Sequence, residues 1–225
     1  MAAAAAGAGI EAPAEGLAEA RQLALLSTDA PQRHGPGTWL LEAAYLKPYA
    51  AVRHAHYAAA AAIEARTRIA DTGSIVAIRL ETYAEALRYA GNRAPQAAIT
   101  AQFSLSFAVA AGLRFGTLDP AVYRRMDDTE LQRMEGLVAL AEDAAMTLSG
   151  QRAARLVVQT TDGTVQIEID TVPGDPSRPM TEPEVVAKFL RLTEGGLTEG
   201  GASAVGMADA VLRGDIHAPL RLAAF

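Results

Sequence analysis

Four side chains that can bind an anion or transfer a proton lie close together in the stretch LKPYAAVRHAH. They are Lys47, Arg53, His54 and His56. Lysine binds a carboxylate as a point charge, arginine binds it through two N–H groups, and histidine transfers protons near neutral pH. The group suits an enzyme that binds a small polycarboxylate and removes a proton next to a carboxylate. From these residues alone, a solvated polar loop before a helix is the better-supported interpretation.

Several other kinds of site are excluded or disfavoured. The chain has no cysteine, which rules out disulfides, thiolate nucleophiles and cysteine-bound zinc. No glycine-rich phosphate loop follows a strand, and no Gly-x-Ser-x-Gly motif is present. Ser104 is predicted to lie within a helix, with its hydroxyl bonded to the carbonyl four residues earlier. His54 and His56 would share one face of a strand, but no nearby carboxylate offers a third ligand, so we expect no metal site.

Composition narrows the class of protein. The 225 residues are 50% hydrophobic and carry a net charge of −6, which suits one large domain or two small ones with a substantial core. An acidic chain lacks the basic face that nucleic acid requires, although a local cluster of cations can still bind an anionic substrate. The N-terminus lacks the basic start of a signal peptide, and no run of 18 strongly apolar residues is present. We therefore expect a cytoplasmic protein with no nucleic-acid partner and no membrane span.

The patterning predicts helices interspersed with strands. Alternation over ARLVVQTTDGTVQIEID predicts a hairpin that turns at Asp162-Gly163 with positive φ at both residues. Asp127 or Asp128 is expected to cap a helix, and Thr181 with Glu184 forms a capping box. The other predicted elements are helices over 57–70, 82–90, 99–116 (ending at Gly116) and 202–213, strands over 74–82 and 136–143, and loose helices within 1–25. The class is α+β with antiparallel pairing rather than a βαβ series.

Four stretches, in this order, resemble the C-terminal part of the MmgE/PrpD family of 2-methylcitrate dehydratases, cis-aconitate decarboxylases and iminodisuccinate epimerases. They are LKPYAAVRHAHYAAAAAIEA, APQAAITAQFSLSFAVAAGL, VVQTTDGTVQIE and PGDPSRPMTEPEVVAKFLRL. The first is similar to the family's Lys-Pro-Tyr-Pro…His-x-Ala-x-Asp-Ala segment, and the second to its Ala-Lys-Phe-Ser-Leu-Pro-Tyr helix. The third fits the family hairpin, and the last fits its Gly-Asp-Pro…Lys-Phe segment.

The resemblance implies a large helical domain, a smaller α+β lid inserted into it, and an active site between them without a metal or organic cofactor. On this comparison, residues 1–39 are a helical stub and loop, 40–175 are the lid with a small antiparallel sheet, and 176–225 return to the helical domain. Most of the helical domain is missing, so we expect a separate helical subunit as partner. Self-association is also expected, because family members commonly dimerise.

The resemblance also assigns roles. Lys47 matches the family's lysine and is expected to bind a substrate carboxylate. His56 matches the histidine nine positions later and is expected to act as an acid/base or to contact the substrate. Arg53 and His54 would line the same pocket.

Three positions depart from the family pattern. Val52 stands where the family often has cysteine or histidine, Phe107 replaces a tyrosine, and Ala60 replaces an aspartate. The loss of these groups weighs against decarboxylation and against dehydration of 2-methylcitrate, and epimerisation or another reaction of a di- or tricarboxylate is the better guess. The alternative is a non-catalytic, degenerate lid that binds a partner.

Overall fold

The computed structural model describes residues 44–193 and Gly206, all within a compact unit that spans Ala43–Phe225. The helices predicted within 1–25 lie outside the described residues, as does the helix over 202–213 apart from Gly206, which is helical. The described helices are α1 (His56–Arg68), α2 (Ala84–Ala90), α3 (Ala98–Ala101), α4 (Leu105–Phe115), α5 (Thr129–Leu137), α6 (Ala144–Ser149) and α7 (Glu182–Thr193). The described strands are β1 (Ile75–Thr82), β2 (Val138–Glu142), β3 (Ala154–Thr160) and β4 (Gly163–Ile169). Short 3₁₀ turns cover Arg53–Ala55, Thr72–Ser74 and Pro120–Arg125.

The four strands form one sheet in the order β2-β1-β3-β4. The α+β class is therefore confirmed, and β1, β3 and β4 pair antiparallel as expected. The sheet is nevertheless mixed, because β2 runs parallel to β1, with Ile78 opposite Val138. Four helices separate these two strands in the chain, and a connection of that length can return to the end of the sheet from which it started. The alternation within β2 gives no information about its direction.

Helices α1 and α4 pack against each other in the core. The predicted helix over 57–70 is confirmed as α1, whose alanines 58, 59, 61, 62 and 65 are buried. Such small side chains allow a close approach: a Cβ added at Gly112 of α4 would lie 2.6 Å from the Cβ of Ala62. Gly112 is therefore required by the packing of the two helices.

The predicted helix over 99–116 is interrupted. It is divided into α3 and α4, and Ser104 lies at the break as the N-cap of α4 rather than within a helix. The Ser104 hydroxyl accepts a hydrogen bond from the Phe107 amide (3.1 Å) and donates one to the Asn92 carbonyl (2.6 Å). The prediction that Ser104 bonds back along a helix is wrong, because serine is favoured at caps. Gly116 ends α4 in a left-handed conformation, as predicted.

The predicted hairpin is present, with its turn one residue earlier than expected. Thr160 pairs with Gly163, so Thr161 and Asp162 form the turn, and neither has positive φ. The Thr160 hydroxyl accepts hydrogen bonds from the amides of Asp162 (3.2 Å) and Gly163 (3.1 Å). The Thr160 side chain therefore stabilises the turn. The positive φ at two residues that the Asp-Gly sequence predicted is not needed.

Two predicted helix caps are confirmed. Asp128 caps α5 by accepting from the Leu131 amide at 2.9 Å. Glu184 accepts from the Thr181 amide at 2.7 Å at the start of α7. Within the described part of the chain, no helix is long and apolar enough to cross a membrane.

Candidate functional site

The polar segment before α1 is held by backbone hydrogen bonds to three separate parts of the fold. The amide of Leu46 donates to Gly174 (3.1 Å), that of Ala50 to Leu118 (3.0 Å), and that of Val52 to Gln102 (3.0 Å). A Cβ at Gly174 would lie 1.9 Å from the Leu46 carbonyl oxygen, and Gly174 has φ of +91°. Only glycine fits this position, so Gly174 of the Gly-Asp-Pro stretch is required for the segment to lie where it does.

His56 is fully buried at the start of α1. Its Nε2 lies 3.1 Å from the Ala51 carbonyl oxygen. A carbonyl can only accept, so Nε2 carries the proton, and Nδ1 accepts from the Tyr45 hydroxyl in a short hydrogen bond. Burial lowers the pKa of His56 to about 4, the nearby Lys47 adds to the effect, and the hydrogen bond to Ala51 opposes it. At neutral pH the imidazole is therefore uncharged, and both ring nitrogens are engaged.

Lys47 lies at the surface beside this histidine. Its ammonium donates to the Ala51 carbonyl at 3.3 Å. The same oxygen accepts from His56, so the two residues predicted to be catalytic meet at one backbone atom. The sequence comparison predicted that they would be close, and the carbonyl that joins them could not be predicted because it lies in a loop.

Arg53 lies in the same region and forms a partly buried ion pair. Its guanidinium lies 2.8 Å from a carboxylate oxygen of Asp175 and 4.0 Å from the centre of the Tyr45 ring. Asp175 also accepts from the Tyr57 hydroxyl at 3.1 Å and from the Val172 amide at 3.0 Å. Asp175 was not among the predicted site residues, although it belongs to the Gly-Asp-Pro stretch that carried the resemblance.

His54 points into a different cluster. Its Nδ1 is 2.8 Å from the Tyr83 hydroxyl, and its ring stacks on that of Tyr89 with centres 5.6 Å apart. Burial lowers the pKa of His54, and Arg152 lowers it further. The predicted grouping of His54 with Lys47 and His56 is therefore not a direct contact. Within residues 44–193, no three His, Cys, Asp or Glu side chains are grouped to hold a metal ion.

A surface cavity of about 220 Å³ opens beside Lys47. Its other lining residues are Tyr49, Ala50, Ala51, Gln102, Pro120 and Tyr123. The buried ring of Phe107 stacks on that of Tyr123 with centres 5.5 Å apart, but Phe107 itself lines a separate cavity with Leu131 and Glu135. The cavity combines the Lys47 ammonium, the Gln102 amide and the Tyr49 phenol, which are groups that bind a carboxylate.

The surroundings of the cavity are cationic although the whole chain is acidic. Burial raises the pKa of Tyr49, while Arg178 and Arg191 lower it and Asp119 raises it. Arg191 pairs with Asp119 at 3.0 Å. The Lys188 ammonium, from the same helix as Arg191, donates to the backbone carbonyl of Lys47. Cations therefore outnumber carboxylates on this face, as a bound anion requires.

Comparison with known proteins identifies the same family as the sequence stretches. A family model described as the MmgE/PrpD C-terminal domain matches residues 49–213, more than half of the chain. The match includes Arg53, His54 and His56 and begins two residues after Lys47. None of the curated proteins compared with the chain matches it.

Proposed function

The chain belongs to the MmgE/PrpD family through its C-terminal domain, and from this premise we propose that it forms one wall of an active site for small di- or tricarboxylates. The reaction begins with removal of a proton next to a carboxylate and leads to dehydration or epimerisation. A helical domain, which we place on a separate subunit, forms the opposite wall. Residues 40–175 act as the lid, and residues 176–225 pack on the helical domain.

One observation carries the proposal at the level of residues. The Ala51 carbonyl accepts from both Lys47 and His56, so the candidate substrate ligand and the candidate histidine share one backbone oxygen. Lys47 is exposed and can exchange this hydrogen bond for one to a carboxylate, which is a stronger, charge-assisted bond. Arg53 lies over the Tyr45 ring in the same wall, where its charge is paired with that of Asp175.

The geometry limits what His56 can do in such a reaction. Its Nε2–H is committed to Ala51, and Nδ1 reaches outward only through the Tyr45 hydroxyl. A base with a pKa of about 4 is weak at neutral pH. We therefore propose that His56 positions Lys47 and Tyr45, and that the base that takes the substrate proton comes from the helical domain.

The test is deuterium exchange at the substrate carbon. The chain is co-expressed with a helical domain of the same family, and the complex is incubated in D₂O with a panel of di- and tricarboxylates. NMR should show loss of the α-proton signal of one of them, with or without net product. Lys47→Met should slow exchange at least tenfold by loss of a charged ligand. Arg66→Met, which removes a cation of α1 outside the site, should leave the rate unchanged.

His56→Gln separates positioning from catalysis. If His56 positions Lys47, the variant should raise KM more than it lowers kcat, and the pH profile of kcat should keep its shape. A complex that exchanges protons at the same rate with and without Lys47 would refute the site assignment. An active isolated chain would refute the two-subunit arrangement.

A second candidate function is a non-catalytic lid that binds a partner. The complete engagement of both His56 nitrogens and the presence of Phe107 in place of tyrosine favour it. This candidate predicts a stable complex with the helical domain that exchanges no substrate proton at any pH.

A further inference from the structure

We infer that Tyr49 donates a hydrogen bond to the carboxylate that binds at Lys47. This assignment deepens the proposed function and rests on it. The Tyr49 hydroxyl is then part of the ligand site. One carboxylate arm of the substrate occupies the cavity beside Lys47.

The hydrogen bonds of the tyrosines single out Tyr49. All six tyrosines of the chain lie among the described residues, and four have hydroxyls that are already engaged. The four pairs are Tyr45 with His56, Tyr57 with Asp175, Tyr83 with His54, and Tyr123 with the Ala50 carbonyl. The hydroxyls of Tyr49 and Tyr89 make no hydrogen bond with the described residues. Of these two, only Tyr49 lines the cavity beside Lys47.

The other aromatic residues near the cavity offer no hydroxyl to a ligand. Phe107 has none, and it stacks on Tyr123, whose own hydroxyl donates to the Ala50 carbonyl at 2.6 Å. Neither residue can therefore offer a donor to a ligand in the cavity. Tyr49 lines the same cavity, and its hydroxyl is not among the buried unpaired polar atoms of the described residues.

The size and charge of the cavity fit a single carboxylate arm. Its volume of about 220 Å³ is smaller than the roughly 300–1,000 Å³ typical of cavities that enclose a whole ligand. Lys47 supplies a charge, Tyr49 a directed donor and Gln102 an amide, so both carboxylate oxygens can be bonded. Arg178 and Arg191 reinforce the attraction of an anion to Tyr49 without lining the cavity.

Binding to the full chain tests the assignment without requiring turnover. Citrate and succinate are titrated into the ¹⁵N-labelled chain up to millimolar concentrations, with inorganic phosphate as a comparison anion. Amide shifts at residues 49–51 and 102 should move saturably with citrate. Tyr49→Phe keeps the ring and removes only the hydroxyl, so its citrate affinity should fall about tenfold, as for loss of a hydrogen bond to a charged group. Tyr89→Phe is the matched control and should bind like the wild type.

The possible outcomes separate this inference from the proposed function. If Lys47→Met weakens citrate binding and Tyr49→Phe does not, the role of Tyr49 is refuted while the carboxylate site stands. If phosphate competes as well as citrate, the site is a general anion site and the assignment to a carboxylate arm fails. If citrate and succinate produce no saturable shift in the wild type, both this inference and the carboxylate site are overturned.

Discussion

The buried neutral state of His56 predicts a specific pH dependence of stability. The pKa of this histidine is about 4 in the folded chain, compared with about 6.5 for an exposed histidine. The unfolded chain therefore binds an additional proton at this site between these two values, and protonation favours unfolding. The stabilisation is fully present above pH 6.5 and is lost as the pH falls towards 4.

The size of the effect follows from the two pKa values. Linkage gives a loss of about 2 kcal/mol at pH 5 and about 3 kcal/mol at pH 4, relative to pH 7. In His56→Gln this contribution is absent, because the replacement does not titrate. We therefore expect the free energy of unfolding of the variant to change less between pH 7 and pH 4 than that of the wild type, by about 3 kcal/mol.

The assay is urea denaturation followed by circular dichroism at half-unit steps of pH. Carboxylates such as Asp128, whose pKa is lowered by its hydrogen bond with Arg114, also lose stabilisation in acid, but they do so in both proteins and cancel in the difference. Equal pH slopes for the two proteins would refute the argument. If His56→Gln does not fold, the same argument is tested by an NMR titration of the His56 imidazole in the wild-type chain. The imidazole signal should remain that of a neutral ring down to about pH 4.

Two further substitutions test the contacts that support the site. Asp175→Asn removes the carboxylate that pairs with Arg53 in a mostly buried position, and we expect a loss of about 1–3 kcal/mol in the free energy of unfolding, measured by urea denaturation. Gly112→Ala places a methyl group 2.6 Å from Ala62 and should cost about 1–3 kcal/mol by overpacking. Gly136→Ala is its control, because nothing lies within 4 Å of the added methyl, and it should be neutral or stabilising in thermal unfolding. Equal effects of the two glycine substitutions would contradict the packing of α1 on α4.

Local sequence signals predicted local structure well. The Asp128 cap and the left-handed Gly116 depend on residues three or four positions apart, and both are confirmed. Of the predicted capping box, the bond from the Thr181 amide to the Glu184 side chain is present. The wrong predictions concern features that depend on contacts between residues far apart in the sequence. The break at Ser104 depends on the Asn92 carbonyl twelve residues away, and the parallel direction of β2 depends on the path of four helices.

The site could be predicted only as a set of residue types. Spacing and resemblance drew attention to Lys47, Arg53, His54 and His56, but they contained no information about burial. The full burial of His56 results from the segment before α1 folding over it, and the separation of His54 results from Tyr83 on another part of the chain. His54 and His56 have different hydrogen-bond partners, so proximity in sequence did not mean direct contact.

The positive charge around the cavity beside Lys47 comes from distant parts of the chain as well as from the stretch LKPYAAVRHAH. Loop 172–178 places Arg178, and α7 places Lys188 and Arg191, near Tyr49 and Lys47 without lining the cavity, although both elements lie more than 120 residues after Lys47 in the chain. The loop reaches this place because Gly174 allows the Leu46 carbonyl to approach and Asp175 pairs with Arg53. Binding of a carboxylate should therefore depend on how the loop packs against the segment before α1. The Gly-Asp-Pro sequence then contributes to the anion site without contacting the ligand.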